Sequence, residues 1–234
     1  LDSSGSMAEP AGGGTTKIEA AKQALRDVVA SLPEDAVVGM RVFGAEVFDR
    51  DQPGACTDSQ QVVAPDTGNR EELLREVERY RPYGETPIGF ALQQAAKDLD
   101  PDSARSIVLV SDGVATCEPD PCEVAQDLSA QGIDLRIDVV GLAVDGDARA
   151  QLRCIAGVAE GRYYDASSAE EITSSLSTAT ERALRPFEID GAPVVGGTSQ
   201  SEALPLGAGR YADRLGGGVQ ERWYVYERQV PGST

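Results

Sequence analysis

The chain contains no histidine, and this gap restricts its chemistry before any motif is considered. None of the 234 residues is His. Ser-His-Asp and Cys-His catalytic arrangements are therefore excluded, and so are zinc sites that need imidazole ligands. The four cysteines include no Cys-x-x-Cys pair, which also disfavours a zinc site built from four thiolates.

Long apolar runs and an excess of positive charge are missing as well. No apolar run approaches the roughly 20 residues that span a bilayer, so we expect no membrane insertion by this chain. The net charge is −18, from 39 acidic and 21 basic residues. Nucleic acids and anionic membrane surfaces are poor partners for such a chain, because its field repels them. The apolar fraction of 41% is enough for an ordinary packed core.

Strand-like and helix-like segments alternate through the first 185 residues. Leu1 reads as the last residue of a first strand, and residues 8–16 as a flexible loop. The further predicted strands are 37–43, 61–64, 106–110, 135–142 and 162–164; the predicted helices are 17–32, 70–80, one that begins at Thr86, 121–131, 147–158 and 169–184. This alternation predicts an α/β fold with a doubly wound, mostly parallel sheet and helices on both of its faces.

The composition changes after residue 185. Gly, Pro, Val and aromatic residues become frequent, and helical spacing disappears. We therefore predict a domain over residues 1–185, a linker over 186–190 and part of a β-rich domain over 191–234. We expect the natural chain to continue before Leu1 and beyond Thr234.

Oxygen-bearing side chains occur at three separated places. Asp2, Ser4 and Ser6 form an Asp-x-Ser-x-Ser run after the first strand, Thr86 lies at a predicted helix start, and Asp112 ends an apolar strand. The carboxyl ends of parallel strands meet at one edge of a sheet, so we expect these residues to converge. Hydroxyl and carboxylate oxygens suit a hard cation, which makes Mg²⁺ (or Mn²⁺ or Ca²⁺) the predicted cofactor.

Each of these residues also has an ordinary structural interpretation. Ser4 or Ser6 alone could cap a helix or a turn, and Asp112 before Gly113 is a common turn pair. Thr86 before Pro87 is a good helix N-cap, with Pro87 at the first helical position. The combination at the right points of a strand–helix alternation favours the metal site.

This pattern resembles the von Willebrand factor type A (VWA) domain, the family that includes integrin inserted domains. Its signature is a metal-ion-dependent adhesion site: Asp-x-Ser-x-Ser, a distant Thr and a distant Asp. The resemblance covers residues 1–185. The segments 111–117, 120–122 and 152–156 are similar to bacterial members that work outside the cytoplasm, which implies a secreted or cell-surface protein.

The resemblance also implies a role for each residue of the candidate site. Ser4 and Ser6 would give hydroxyl oxygens directly to the ion, and Thr86 would bind it directly or through water. Asp2 and Asp112 would hold bound waters and orient the hydroxyls. A site made mostly of neutral hydroxyls stays electrophilic and accepts one more oxygen, so the expected ligand is a protein that presents Asp or Glu.

The predicted function is therefore metal-dependent protein binding or adhesion, without enzymatic activity. One alternative is a metal-dependent phosphotransferase that uses Asp2 as a nucleophile, similar to haloacid dehalogenases. The second Asp of that family's motif is replaced here by Ser4, which removes the general acid. Another alternative is a VWA subunit of a cytoplasmic chelatase-type assembly, against which the cysteines and the β-rich tail argue.

The even cysteine number favours two disulfide bonds and an oxidising compartment over free buried thiols. Cys56 and Cys117 fall in loops that should flank the candidate site, while Cys122 begins one predicted helix and Cys154 lies in the next. We favour the pairs Cys56–Cys117 and Cys122–Cys154. A local bond between Cys117 and Cys122 remains the alternative.

Overall fold

A computed structural model describes residues 1–12, 14–101, 105–130, 135–184, 192–209, 211–213 and 221–226. The chain divides into two compact units, Leu1–Arg185 and Pro186–Thr234. The predicted linker 186–190 lies outside the described residues, and so do parts of the predicted β-rich segment. That this segment is a separate domain therefore remains a prediction.

The first unit contains six helices and seven strands among its described residues. The helices are α1 (Lys17–Ser31), α2 (Arg70–Arg79), α3 (Ile88–Asp98), α4 (Pro121–Ala130), α5 (Gly146–Val158) and α6 (Ala169–Leu184). The strands are β1 (Pro10–Gly12), β2 (Thr15–Thr16), β3 (Val38–Phe43), β4 (Ser59–Asp66), β5 (Arg105–Ser111), β6 (Leu135–Leu142) and β7 (Tyr163–Ala166). Two short 3₁₀ turns cover Gly5–Ala8 and Ala55–Thr57.

The sheet is mostly parallel, as predicted. Strands β5, β6 and β7 pair in parallel, in that order, and β3 pairs with an antiparallel β4. The start of the chain joins these two parts. Asp2 forms a parallel bridge with Phe43, and its backbone N–H donates to the carbonyl of Val110 at 2.9 Å. The first residues thus lie between β3 and β5.

Helices cover both faces of this sheet, because the central strands are apolar on both sides. Successive strand residues point to opposite faces. On β5 and β6, Val110 and Val140 pack in a core with α1, α2 and α6, whereas Leu109 and Val139 pack in a second core with α3, α4 and α5. The prediction of a doubly wound α/β fold is confirmed.

Helix α1 begins with a complete capping box. The hydroxyl of Thr16 accepts from the backbone N–H of Glu19, and the Glu19 carboxylate accepts from the backbone N–H of Thr16. The structure of the residues before α1 differs from the prediction. We expected a flexible loop over 8–16, but β1 and β2 form a short antiparallel hairpin there. The hairpin fixes the entry into α1.

The second unit has short strands in its described part. They are β8 (Ala192–Pro193), β9 (Leu204–Leu206), β10 (Tyr211–Ala212) and β11 (Tyr224–Tyr226). Strand β8 pairs in parallel with β10, and β9 pairs in parallel with β11. Over all described residues of the chain, no helix has the length and apolar character needed to cross a membrane.

Both favoured disulfide bonds are present. Cys56 is bonded to Cys117, with Cα atoms 5.3 Å apart, and Cys122 is bonded to Cys154, with Cα atoms 5.6 Å apart. The first bond joins the 3₁₀ turn before β4 to the loop after β5. The second joins α4 to α5. The alternative bond between Cys117 and Cys122 is therefore wrong.

Removing either bond should destabilise the protein through the unfolded chain. The cysteines are separated by 61 and 32 residues, for which loop closure predicts about 4 kcal/mol each. We expect paired serine substitutions at Cys56 and Cys117, or at Cys122 and Cys154, to lower the free energy of unfolding by this order. Urea titration of both variants measures it. A loss below about 1 kcal/mol for either pair would contradict the prediction.

Candidate metal-binding site

The loop that carries the first three candidate residues is fixed by the strands on either side. Asp2 bonds through its backbone to Val110 of β5, and the N–H of Ser3 donates to the carbonyl of Phe43 in β3 at 2.9 Å. Ser4 forms a parallel bridge with Gly84. The loop therefore emerges at the carboxyl edge of the sheet, where Asp112 also follows its strand.

The carboxylate of Asp2 is fully buried, and protein groups hold both of its oxygens. Its Oδ1 accepts from the backbone N–H of Ser4 at 2.8 Å, and its Oδ2 accepts from the hydroxyl of Ser111 at 2.5 Å. Burial, together with the nearby charge of Asp112, raises the pKa of Asp2 to about 6, although the bonds from Ser111 and Ser4 oppose this rise. The environment thus resists negative charge unless a cation is close.

A continuous series of hydrogen bonds links the two serine hydroxyls to the second carboxylate. The Oγ atoms of Ser4 and Ser6 are 3.2 Å apart, and the Ser6 hydroxyl donates to Oδ1 of Asp112 at 2.8 Å. The Asp112 side chain is buried. The structure therefore brings Asp2, Ser4, Ser6 and Asp112 into one group at the end of the sheet.

Thr86 is buried at the same edge and is linked to this group through its neighbours. Gly84, two residues earlier, bridges Ser4 and accepts from the N–H of Gly5 at 3.0 Å. The backbone N–H of Thr86 donates to Oγ1 of Thr116 at 2.9 Å, and the N–H of Thr116 donates back to the Thr86 carbonyl at 3.2 Å. The segment is thus held from two sides.

The prediction that Thr86 caps a helix is wrong. Helix α3 begins at Ile88 and its N-cap is Pro87, which has no side-chain cap bond. Pro87 therefore precedes the first helical position, and Thr86 lies outside the helix. The carbonyl of Thr86 accepts from the N–H of Ile88 at 3.0 Å, which makes a tight turn before the helix.

Sequence reasoning missed Lys17, which lies directly at the site. Its ammonium donates to Oδ2 of Asp112 and to Oε2 of Glu9, both at 2.8 Å. Burial alone lowers the pKa of Lys17, but the bonds and charges of Asp112 and Glu9 outweigh it, so the pKa lies above its usual value. The available signal was the place of Lys17 three and four residues before the alanines Ala20 and Ala21 of the apolar face of α1, since a lysine that is buried on such a face is paired.

Two glycines allow the backbones around the site to pack closely. A Cβ on Gly84 would lie 2.2 Å from the carbonyl oxygen of Val47, and one on Gly44 would lie 2.3 Å from that of Glu85. Gly44 also has a φ of +69°, a conformation that L side chains rarely adopt. The buried Asp58 was also missed from the sequence. Its carboxylate holds the loop after β3 by accepting from the N–H groups of Glu46 and Val47 at 2.9 and 2.8 Å.

The donor atoms that the site offers would suit a hard cation, and hydroxyls rather than carboxylates would be its main ligands. Within the described part of the chain, no group of three or more Asp, Glu or Cys side chains could hold a metal ion. The 3.2 Å between the Ser4 and Ser6 oxygens is close to the separation of neighbouring ligands around Mg²⁺, about 2.9 Å for bonds of about 2.0–2.1 Å. Hydroxyls and carboxylates without nitrogen or sulfur suit such an ion.

Comparison with known proteins identifies the family of the domain. The family model of the von Willebrand factor type A domain, which describes the sequences of that family, matches residues 1–114. YwmC of Bacillus subtilis (strain 168), an uncharacterized protein, is 30% identical over 177 residues, which cover 74% of this chain and 77% of YwmC. The chain belongs to the von Willebrand factor type A family. The resemblance seen in the sequence is thereby confirmed for the VWA domain itself.

Solved structures share the VWA-like fold. The pilus adhesin SpaC from Lactobacillus rhamnosus GG matches with a TM-score of 0.62 and 16% identity, over 78% of this chain and 30% of SpaC. The manganese-loaded Plasmodium vivax TRAP protein matches with a TM-score of 0.54 and 22% identity, over 75% of this chain and 69% of TRAP. At these identities the matches establish the fold of this chain.

Substitution of Gly44 tests the close packing beside the site. Gly44 and Gly68 have nearly equal φ angles, +69° and +70°, but only Gly44 is crowded, since a Cβ on Gly68 would meet nothing within 4 Å. We expect Gly68→Ala to cost about 1 kcal/mol from the backbone conformation alone. Gly44→Ala should cost at least about 2 kcal/mol more, because the new Cβ forces the Glu85 carbonyl away. Equal losses in urea titrations would contradict this packing.

Proposed function

We propose that this VWA domain is a divalent-cation-dependent protein-binding module that captures an acidic group of a partner protein. The observation that carries the proposal is the hydrogen-bonded series Ser4, Ser6 and Asp112 beside the buried Asp2. It places two adjacent hydroxyl oxygens next to two carboxylates whose charge needs compensation.

The residues present fit the ion that the family implies. Ser4 and Ser6 would contribute hydroxyl oxygens, and Thr86 would contribute its own directly or through water. Asp2 and Asp112 would orient those hydroxyls and hold bound water. Mg²⁺ is the proposed ion, with Mn²⁺ or Ca²⁺ as alternatives, and the manganese-loaded TRAP structure supports a divalent ion on this fold. When bound, the ion would supply positive charge for an incoming carboxylate oxygen.

Charge explains why an acidic partner would need such an ion. The chain carries a net charge of −18, so an isolated Asp or Glu of a partner is repelled at long range. Neutral hydroxyl ligands leave most of the ion's charge uncompensated, whereas a carboxylate-rich set would cancel it. The serine-based site therefore favours binding of an external carboxylate.

Exposed apolar side chains close to the site offer further contact area. Phe48 and Tyr83 are 64% and 45% exposed, and their ring centroids lie 5.0 Å apart. Tyr83 directly precedes Gly84, and Val114, 39% exposed, follows Asp112 by two residues. Exposed apolar side chains that are grouped into a patch, as Phe48 and Tyr83 are, mark protein contacts more often than singly scattered ones do. They support a protein, rather than a free small acid, as the ligand.

An enzymatic role for Asp2 is disfavoured by its surroundings. The residue is 0% exposed, and both carboxylate oxygens accept hydrogen bonds from Ser4 and Ser111. A nucleophile must reach its substrate, and this carboxylate has no open side. The chelatase-type alternative would place the chain in the cytoplasm, where the two disulfide bonds would be unusual. We therefore propose a non-catalytic, secreted or cell-surface module.

The first test is stabilisation by the ion alone. With Mg²⁺ at about 100 times its dissociation constant, the free energy of unfolding should rise by about 2.7 kcal/mol relative to EDTA. Ser6→Ala removes one proposed ligand and should reduce this gain to below about 1 kcal/mol. Thermal or urea unfolding with and without Mg²⁺ measures both values.

Ser174→Ala provides the matched control for this test. Ser174 is an exposed serine of α6 whose hydroxyl donates to the Glu171 carbonyl at 3.1 Å, which lies within the same helix. Its substitution should leave the Mg²⁺ gain unchanged. Equal unfolding of the unsubstituted chain in Mg²⁺ and in EDTA would reject the metal site.

The second test concerns the chemistry of the ligand. Peptides with one central Asp or Glu, and otherwise identical peptides with Asn or Gln, are offered to the immobilised chain in Mg²⁺. We expect the acidic peptides to bind at least about tenfold more tightly, a difference of about 1.4 kcal/mol, and to dissociate in EDTA. Binding that persists in EDTA, or that ignores the amide replacement, would contradict capture through the ion.

A further inference from the structure

The ammonium group of Lys17 occupies an unusual place beside the proposed metal site. Its side chain is 7% exposed and is sandwiched between the fully buried Asp112 carboxylate and the 64% exposed Glu9 carboxylate. Both N–O distances are 2.8 Å. Lysine is almost never buried to this degree unless it is paired, so the pairing with Asp112 determines where this residue lies.

Local helix energetics do not explain the lysine. Lys17 is the first residue of α1, where the helix dipole disfavours a positive charge. The capping box of Thr16 and Glu19 already completes the helix start. The backbone N–H of Lys17 donates to the Glu9 carbonyl at 2.9 Å, which would hold with any side chain at this position. What remains specific to the side chain is its charge next to Asp112.

We infer that Lys17 is an internal counter-ion that sets how strongly the site binds a divalent cation. This inference rests on the proposed function. The ammonium compensates Asp112 when no cation is present, and its positive charge opposes an incoming one. Lys17 thereby keeps the affinity for the ion low. A partner carboxylate then contributes a larger share of the binding free energy of the complex of chain, ion and partner.

The charges near the site determine the direction of the effect. Asp2 and Asp112 contribute two buried negative charges, and Lys17 contributes one buried positive charge. Glu9 is mostly exposed, so solvent screens it. Without the ammonium, a divalent cation meets two uncompensated carboxylates in a region of low dielectric, where charges interact strongly. Loss of the lysine charge should therefore strengthen cation binding.

The Asp112 carboxylate should keep its orientation when the ammonium is removed. Its other oxygen, Oδ1, accepts from the Ser6 hydroxyl at 2.8 Å. The residue directly follows Ser111, whose hydroxyl is fixed by Asp2. Among the described residues, two groups bond to this carboxylate, Lys17 and Ser6, so the hydrogen bond from the proposed ligand Ser6 remains. Loss of the Lys17 charge should therefore change the affinity for the cation more than any loss of orientation of the Asp112 carboxylate does.

The decisive variant is Lys17→Met, which replaces the aliphatic part of the side chain with one of similar length and removes the ammonium group. In EDTA the melting temperature should fall, because Asp112 loses its buried partner. In titration calorimetry of the full chain with MgCl₂, the affinity should rise at least about tenfold, equivalent to about 1.4 kcal/mol. A purely structural role of Lys17 would lower both the melting temperature and the Mg²⁺ affinity. A lower melting temperature together with a higher affinity therefore identifies an effect of the charge.

Lys22→Met is the matched control on the same helix. The Lys22 ammonium donates to the Glu78 carbonyl at 2.9 Å and not to the site. Its substitution should change Mg²⁺ affinity less than about twofold, about 0.4 kcal/mol. Equal affinities of Lys17→Met and the unsubstituted chain, or weaker binding by Lys17→Met, would overturn the inference.

Glu9→Gln offers an independent variant in case Lys17→Met does not fold. Glu9 lies on the far side of the ammonium and is exposed, so the substitution should be tolerated. It leaves the Lys17 charge less compensated, and we expect Mg²⁺ affinity to fall by about two- to threefold, or about 0.4–0.7 kcal/mol. A rise in affinity would contradict the inference.

The same titrations separate the inference from the proposed function. If the unsubstituted chain binds Mg²⁺ and Lys17→Met binds it no better, the module remains and the role of Lys17 is rejected. If Lys17→Met alone binds the ion, the counter-ion role is supported in its strongest form. If no variant binds Mg²⁺ or Mn²⁺, the metal-dependent function and the inference both fail.

Discussion

Two carboxylates, Asp2 and Asp112, are buried together at the carboxyl edge of the sheet, and the surrounding contacts offset part of the free-energy cost of that burial. The Ser4 N–H and the Ser111 hydroxyl hold Asp2. The Ser6 hydroxyl and the Lys17 ammonium hold Asp112. A buried charge without such partners would cost several kcal/mol. The Asp-x-Ser-x-Ser loop is thus a structural requirement of this edge as well as a candidate cation site.

The rest of the fold places these groups at one point. The first residues of the chain lie between β3 and β5, so the loop after Asp2 and the loop after Asp112 leave the sheet side by side. Two separate hydrophobic cores, one on each face of the sheet, pack the strands against the helices. The close approach at Gly44 and Gly84 then brings the Thr86 segment against the Ser4 loop. The site depends on long-range packing, although its motif is short.

Most elements could be predicted from the sequence because their signals are local. The continuous apolar run of β5 and the helical spacing of α1 each depend on neighbouring residues, and both elements lie where expected within one residue. The position of Thr86 could not be predicted, because a Thr-Pro pair has the same local chemistry at an N-cap and one residue before it. The contact of Lys17 with Asp112 joins residues that are 95 positions apart, and no local pattern encodes such a pair.

The reciprocal hydrogen bonds between Thr86 and Thr116 have a consequence for motion. Thr116 adjoins Cys117, which is covalently linked to Cys56. Two hydrogen bonds therefore connect the segment before α3 to the loop after β5, and a disulfide bond connects that loop to the turn before β4. A ligand that displaces Thr86 has to break the two hydrogen bonds to Thr116 or move the other two segments as well. A rearrangement of this rim that keeps those hydrogen bonds would thus be concerted, because all three segments would move together.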